Sequence, residues 1–69
     1  MIEVFKTNVC EAAEANKIVA MLLQYFPGSK INFDLDDCDK ILRIESESFT
    51  TLKVEQLLQG TGYKCHALD

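Results

Sequence analysis

Residues 31–45 read INFDLDDCDKILRIE, and this stretch decides the fold. Apolar and polar residues alternate on both sides of an acidic centre, which predicts two strands, 31–36 and 41–45, each with one dry face. The centre, residues 37–39, is polar and predicts a turn. The stretch is therefore predicted to form a β-hairpin.

The inward residues of this hairpin predict how its strands pair. Pairing Leu35 with Leu42 also sets Phe33 opposite Ile44, so all four apolar side chains share a face. A one-residue slip would turn one strand's apolar side chains to the other face. We therefore predict the Leu35–Leu42 register.

A helix is predicted on each side of the hairpin. Apolar residues recur every three or four positions over about residues 11–26, and Pro27-Gly28 ends that segment. Asn8 is the predicted N-cap. A second helix is predicted from Thr50 or Thr51 to about Gln59, with residues 46–49 as the connection and Gly60 at the stop.

Strands at 1–9 and 63–68 complete the order strand, helix, strand, strand, helix, strand. Alternation in the first strand sets Ile2 and Val4 on one face and Phe5 on the other, and we expect Phe5 to be exposed. Right-handed crossovers predict an α+β, ferredoxin-like βαββαβ fold: one domain, 1–69, with a four-stranded antiparallel sheet and two helices on one face.

The composition excludes several classes of function. The net charge is −4 and the seven basic residues are scattered, which argues against nucleic acid and an anionic membrane surface. The sequence permits a protein partner, including a basic one, or self-association. No run approaches the roughly 20 apolar residues of a membrane span. We expect no secretory leader, reduced thiols for the three cysteines, and a cytoplasmic location.

The element order and several local sequences resemble the heavy-metal-associated domain of copper chaperones. The first strand ends in TNVC at residues 7–10, and Ile18 and Leu22 follow in the helix. The sequence GYKC lies at residues 62–65, near the end of the chain. A glycine followed by an aromatic residue before the last strand is typical of that family. The resemblance covers nearly the whole chain and implies the ferredoxin-like fold.

The family's metal motif is Met-x-Cys-x-x-Cys in the first loop, where two soft thiolates select Cu(I), or Zn(II) with help. Placing Cys10 on the first cysteine puts the second on Ala13. Aligning the helix instead puts the two cysteine places on Glu11 and Glu14. Both alignments leave the pair incomplete, and the sequence does not choose between them.

Cys10 is the best single candidate for metal chemistry. It lies at a predicted helix N-terminus, where the dipole favours the charged thiolate. By topology the first loop, the hairpin tip and the turn before the last strand share one end of the domain, so Cys38 is a candidate second ligand. The predicted loop-end surface consists of Asn8, Glu11, Glu14 and Tyr63.

Other constellations are weaker. Cys65 and His66 are neighbours on a strand, so they should face opposite sides and not share a metal. The acidic hairpin lacks the glycine that a calcium loop needs at its sixth place, where it has Asp39. His66 has no nucleophile near it in sequence, so we expect no enzyme and no catalytic residue.

Two hypotheses of function remain. One is a metal-free binding module that uses the loop end or an open sheet face formed by Phe5, His66 and Leu68. The other is weak or shared Cu(I) or Zn binding through Cys10, completed by Cys38 or by a second copy.

Overall fold

The computed structural model describes residues 1–47 and 49–68; Ser48, in the predicted connection 46–49, and Asp69, at the end of the predicted domain, lie outside the described residues. The order is strand, helix, strand, strand, helix, strand. The elements are β1 (Ile2–Thr7), α1 (Ala12–Tyr25), β2 (Lys30–Asp34), β3 (Ile41–Glu45), α2 (Thr51–Gly60) and β4 (Cys65–Leu68).

The four strands form one antiparallel sheet in the order β2-β3-β1-β4. One face of the sheet packs with both helices in a single core. The other face carries polar and partly exposed side chains. The predicted ferredoxin-like α+β fold is therefore confirmed.

The core alternates along the strands and follows a stripe along each helix. The inward residues in the middle of β1 and β3 are buried, and α1 buries positions spaced by three and four residues, as an amphipathic helix does. The largest fully buried side chains are Phe5, Leu22, Leu42, Ile44, Leu58, Val9, Val54 and Cys65.

The prediction that Phe5 is exposed is wrong. Its side chain is 0% exposed, whereas Ile2 on the opposite face is 49% exposed. Thr7 and Val9 continue the inward face, so the buried side of β1 is the one that holds the largest side chain. Alternation showed two faces correctly but did not reveal which one the helices cover.

The predicted hairpin register is also wrong, by two residues. Phe33 pairs with Leu42 and Ile31 with Ile44. The apolar side chains still share a face, because a shift of two preserves alternation. Leu35 instead lies in the loop, where its carbonyl accepts a hydrogen bond from Lys40 Nζ at 2.9 Å.

Local signals set the ends of the helices. Thr50 caps α2, its hydroxyl accepting from the Lys53 N–H at 3.3 Å. Gly60 is the last helical residue, and Gly62, with φ +97°, takes the left-handed conformation that usually follows a helix end. Gly28, φ +83°, makes the corresponding turn after α1.

Candidate functional site at the loop end

Three loops meet at one end of the domain: residues 8–11, residues 35–40 and residues 61–64. We call this region the loop end. Thr7 joins the first two loops, because its N–H donates to the Asp39 carbonyl at 3.0 Å and its hydroxyl donates to the Lys40 carbonyl. The same hydroxyl accepts from the Val9 N–H at 3.2 Å.

Sequence reasoning did not single out Thr7. It is a buried polar residue, 6% exposed, and its hydroxyl has partners in both loops, as buried polar groups require. A threonine at the inward position of a strand end was the available signal. The hydroxyl fixes where the hairpin tip lies relative to the first loop.

Asn8 does not cap α1 as predicted. The helix begins at Ala12 with Glu11 as N-cap, and no side chain caps it. Asn8 is too far upstream for that role. Its side-chain oxygen instead accepts from the Lys64 N–H at 2.8 Å, which ties the first loop to the residues before β4.

Tyr63 and Glu14 form the second tie across the loop end. The Tyr63 hydroxyl donates to Glu14 Oε2 at 2.7 Å. This hydrogen bond, together with burial and the charges of Glu14 and Glu11, raises the pKa of the Tyr63 phenol above its ordinary value. The two residues line a groove of about 270 Å³ with Ile18 and Met21.

Cys10 is exposed and free, and it lies just before the Glu11 N-cap rather than in the helix. Its thiol donates to the Asn8 carbonyl at 3.5 Å. The side chain is therefore accessible to a soft metal or to a thiol reagent. The described structure assigns it no further hydrogen-bond partner.

Cys38 is also exposed and free, and it lies at the hairpin tip. Within residues 1–47 and 49–68, the one group of three ligand-type side chains with ligand atoms within 4.8 Å of one another is Asp37, Cys38 and Asp39. The two carboxylates of this group already have a hydrogen-bond or ion-pair partner. Asp37 Oδ1 accepts from the Asp39 N–H at 2.8 Å, and Asp39 Oδ1 lies 3.4 Å from Lys6 Nζ.

The donors of the first loop do not match the two-thiolate Cu(I) site that the resemblance implies. Cys10 offers one thiol. The second place is Ala13 in one alignment, and in the other the places are Glu11 and Glu14, with Glu14 bound to Tyr63. Carboxylates are hard ligands that suit calcium or magnesium better than Cu(I).

Cys65 and His66 face opposite sides of the sheet, as predicted. Cys65 is buried, whereas His66 is exposed on the open face. Burial, reinforced by the Glu55 carboxylate, raises the pKa of the Cys65 thiol to about 12. Cys65 is therefore an inert core residue near neutral pH.

The open sheet face differs from the expected set of Phe5, His66 and Leu68. Phe5 belongs to the core, and Leu68, 40% exposed, lies opposite Val4. Ile2 is the other exposed apolar residue on this face. Among the described residues, this face is therefore a mixed apolar and polar surface that lacks the phenyl ring expected from Phe5.

No helix in the described ranges is both long and apolar enough to cross a bilayer. Comparisons with protein families, with curated proteins and with solved structures find no match to this chain.

Proposed function

We propose that this chain is a heavy-metal-associated-like domain that has lost the cysteine pair and acts as a metal-free, non-catalytic binding module. Its partner is a protein, bound through the loop end. The family likeness rests on the βαββαβ order and on the TNVC and GYKC sequences of residues 7–10 and 62–65. The fold agrees with that likeness.

The observation that carries this proposal is the hydrogen bond between Tyr63 and Glu14. One alignment places the family's second cysteine at Glu14, and there the carboxylate accepts from the Tyr63 hydroxyl at 2.7 Å. A second tie, from the Lys64 N–H to Asn8, holds the first loop. Polar contacts thus hold the region of the family's metal motif against the turn before β4.

The charge of the loop end favours a basic partner. Glu11 is exposed there, and the hairpin tip adds Asp36, Asp37 and Asp39. Lys6 pairs with Asp39, and Lys40 and Lys64 lie in the same loops, so the loop end keeps a small excess of acidic residues. Complementary charge would speed association with a basic protein surface and make it salt-dependent.

A Cu(I) titration tests the metal-free assignment. The reduced protein competes with a bidentate Cu(I) chelator, beside Cys10→Ser and the matched surface variant Cys38→Ser. We expect all three proteins to retain Cu(I) no better than a simple monothiol of equal concentration. Affinity well above that level, lost in Cys10→Ser, would overturn the proposal.

The second candidate function is weak or shared handling of Cu(I) or Zn through Cys10. The favouring observation is that Cys10 and Cys38 are both exposed on loops joined by Thr7. If the two thiols act together, each serine variant alone should abolish retention. If two copies share the ion, the stoichiometry should be one metal per two chains.

We also propose a cytoplasmic location. The three cysteines are free, and two of them are exposed. Exposed free thiols persist in a reducing compartment, whereas oxidising compartments favour their pairing.

A further inference from the structure

The free edge of β4 is covered by side chains of α2. The Ala67 N–H donates to Glu55 Oε2 at 2.8 Å, and the Cys65 carbonyl accepts from Gln59 Nε2 at 3.2 Å. Glu55 and Gln59 are four residues apart and so lie on the same face of the helix. The Ala67 N–H and the Cys65 carbonyl, which another strand would need on this side, are therefore already bonded.

The same bonds determine which backbone groups of β2 face outward. Successive residues of an antiparallel strand direct their N–H and C=O groups to opposite sides. Because the Ala67 N–H points away from β1, Ala67 and its partner Phe5 do not exchange backbone hydrogen bonds. The backbone groups of Phe5 therefore point the other way, to Leu42 in β3. The residues before and after Leu42 in β3 then direct their backbone groups to β2, where one of their partners is Asn32. The β2 residues whose backbone groups face the free edge are Ile31 and Phe33.

This second edge is not covered. In the described part of the chain, no side chain hydrogen-bonds to the backbone of Lys30–Asp34. Ile31 and Phe33 are only half-buried. They line an open groove of about 330 Å³ between β2 and α1, with Ala15 and Val19 on the helix side.

The sequence of β2, KINFD, is complementary to itself in the antiparallel direction. With a two-fold axis at Asn32, Lys30 of one copy lies opposite Asp34 of the other, and Ile31 lies opposite Phe33. Each of these pairs occurs twice. Opposite charges and apolar pairs directly across from each other stabilise antiparallel strands.

We propose that two copies of this chain join through β2 in this register, which makes one continuous eight-stranded sheet. Ile31 and Phe33 exchange backbone hydrogen bonds with Phe33 and Ile31 of the second copy. Lys30 and Asp34 form charge pairs on the open face, where both are exposed. Such an interface is isologous, as in most dimers of identical chains.

Other registers of the same edge fit less well. A shift of two towards the hairpin needs the Leu35 carbonyl, which already accepts from Lys40 Nζ. A shift of two the other way sets Lys30 opposite Asn32 and takes Asp34 beyond the strand of the second copy. The proposed register keeps the whole of β2 paired.

Charge exchange tests the register. In Lys30→Asp both ends of β2 are acidic, and in Asp34→Lys both are basic. We expect each variant to self-associate at least about tenfold more weakly than the natural protein in sedimentation velocity. An equimolar mixture should recover association, because the two variants complement each other. Lys64→Asp, a charge change beside the covered β4 edge, is the matched control and should dimerise normally.

Amide hydrogen exchange locates the contact. The Ile31 and Phe33 N–H groups should be protected only at concentrations where the natural protein dimerises. A natural protein that stays monomeric at millimolar concentration would overturn the proposal, and so would dimers unaffected by both variants. Neither result bears on the Cu(I) titration, so this proposal and the metal-free assignment fail separately.

Discussion

Strands β4 and β2 are the two outer strands of one sheet, and they differ in how their free backbone groups are treated. Glu55 and Gln59 of α2 reach the free edge of β4. In the described ranges, β2 receives no side-chain hydrogen bond of this kind and borders an open groove instead. The difference shows that a helix can protect one edge of a small sheet while leaving the other uncovered.

The difference extends into the core. Beside β4, Phe5 on β1 and Cys65 on β4 are both 0% exposed, and Ala67 of β4 is partly buried. In β2 the inward residues Ile31 and Phe33 are only half-buried. The covered edge therefore belongs to the well-packed side of the domain.

The largest expected effect tests this contrast in packing. Phe5→Ala should lower the free energy of unfolding by about 3–5 kcal/mol, because it leaves a cavity in a fully buried site. Phe33→Ala should cost about 1–2 kcal/mol, since only part of its surface is removed from water. Urea denaturation of both variants measures the difference. Equal losses would mean that the two sides pack alike.

Removing the cover of β4 should have an intermediate effect. The double variant Glu55→Ala with Gln59→Ala should lose about 2 kcal/mol of unfolding free energy, because two edge hydrogen bonds are removed. Amide exchange of Ala67 should accelerate, since its N–H loses its acceptor. Gln56→Ala, at an exposed position on the same helix, is the control and should change neither quantity. Unchanged exchange at Ala67 would contradict the role assigned to Glu55.

The effect with the narrowest range of conditions appears only at alkaline pH and concerns Cys65. Its thiol pKa rises from 9.0 to about 12 on folding, so the folded state holds this proton more tightly. The stabilisation is fully present below pH 9 and is lost as the pH rises towards 12. The free energy of unfolding of the natural protein should therefore fall more steeply above pH 9 than that of Cys65→Ala. Parallel curves for the two proteins would contradict the pKa shift.

The strand and helix order was predictable because each segment has a clear period. Residues 31–45 alternate with a period of two, and α1 repeats its buried positions every three or four residues. Turn residues such as Pro27-Gly28 separate the segments. With that order, right-handed connections leave few arrangements for the chain.

The burial of Phe5 and the hairpin register were not predictable from these patterns. Alternation gives two apolar faces on β1, and only the packing of the helices selects one. A two-residue shift of the hairpin leaves every side chain on the same face. In the structure the loop closes through its own bonds, from the Lys40 N–H to the Asp37 carbonyl and from Lys40 Nζ to the Leu35 carbonyl, which leaves Leu35 outside β2.

The loop end was predictable in outline. Topology placed Cys10, Cys38 and Tyr63 at one end, and the bonds of Thr7 and Asn8 join the loops that carry them. The particular contacts were not predictable, because the residues they join are 49 and 56 positions apart in the chain. No local pattern encodes such pairs.

The sequence by itself determined the elements, their order and the absence of a cysteine pair from the first loop, because periodicity and residue identity are local properties. The tertiary structure decided which face of β1 is buried and how the loops are tied. It also decided that α2 covers β4 and leaves β2 open. These outcomes depend on distances between segments far apart in the chain, and only packing sets those distances.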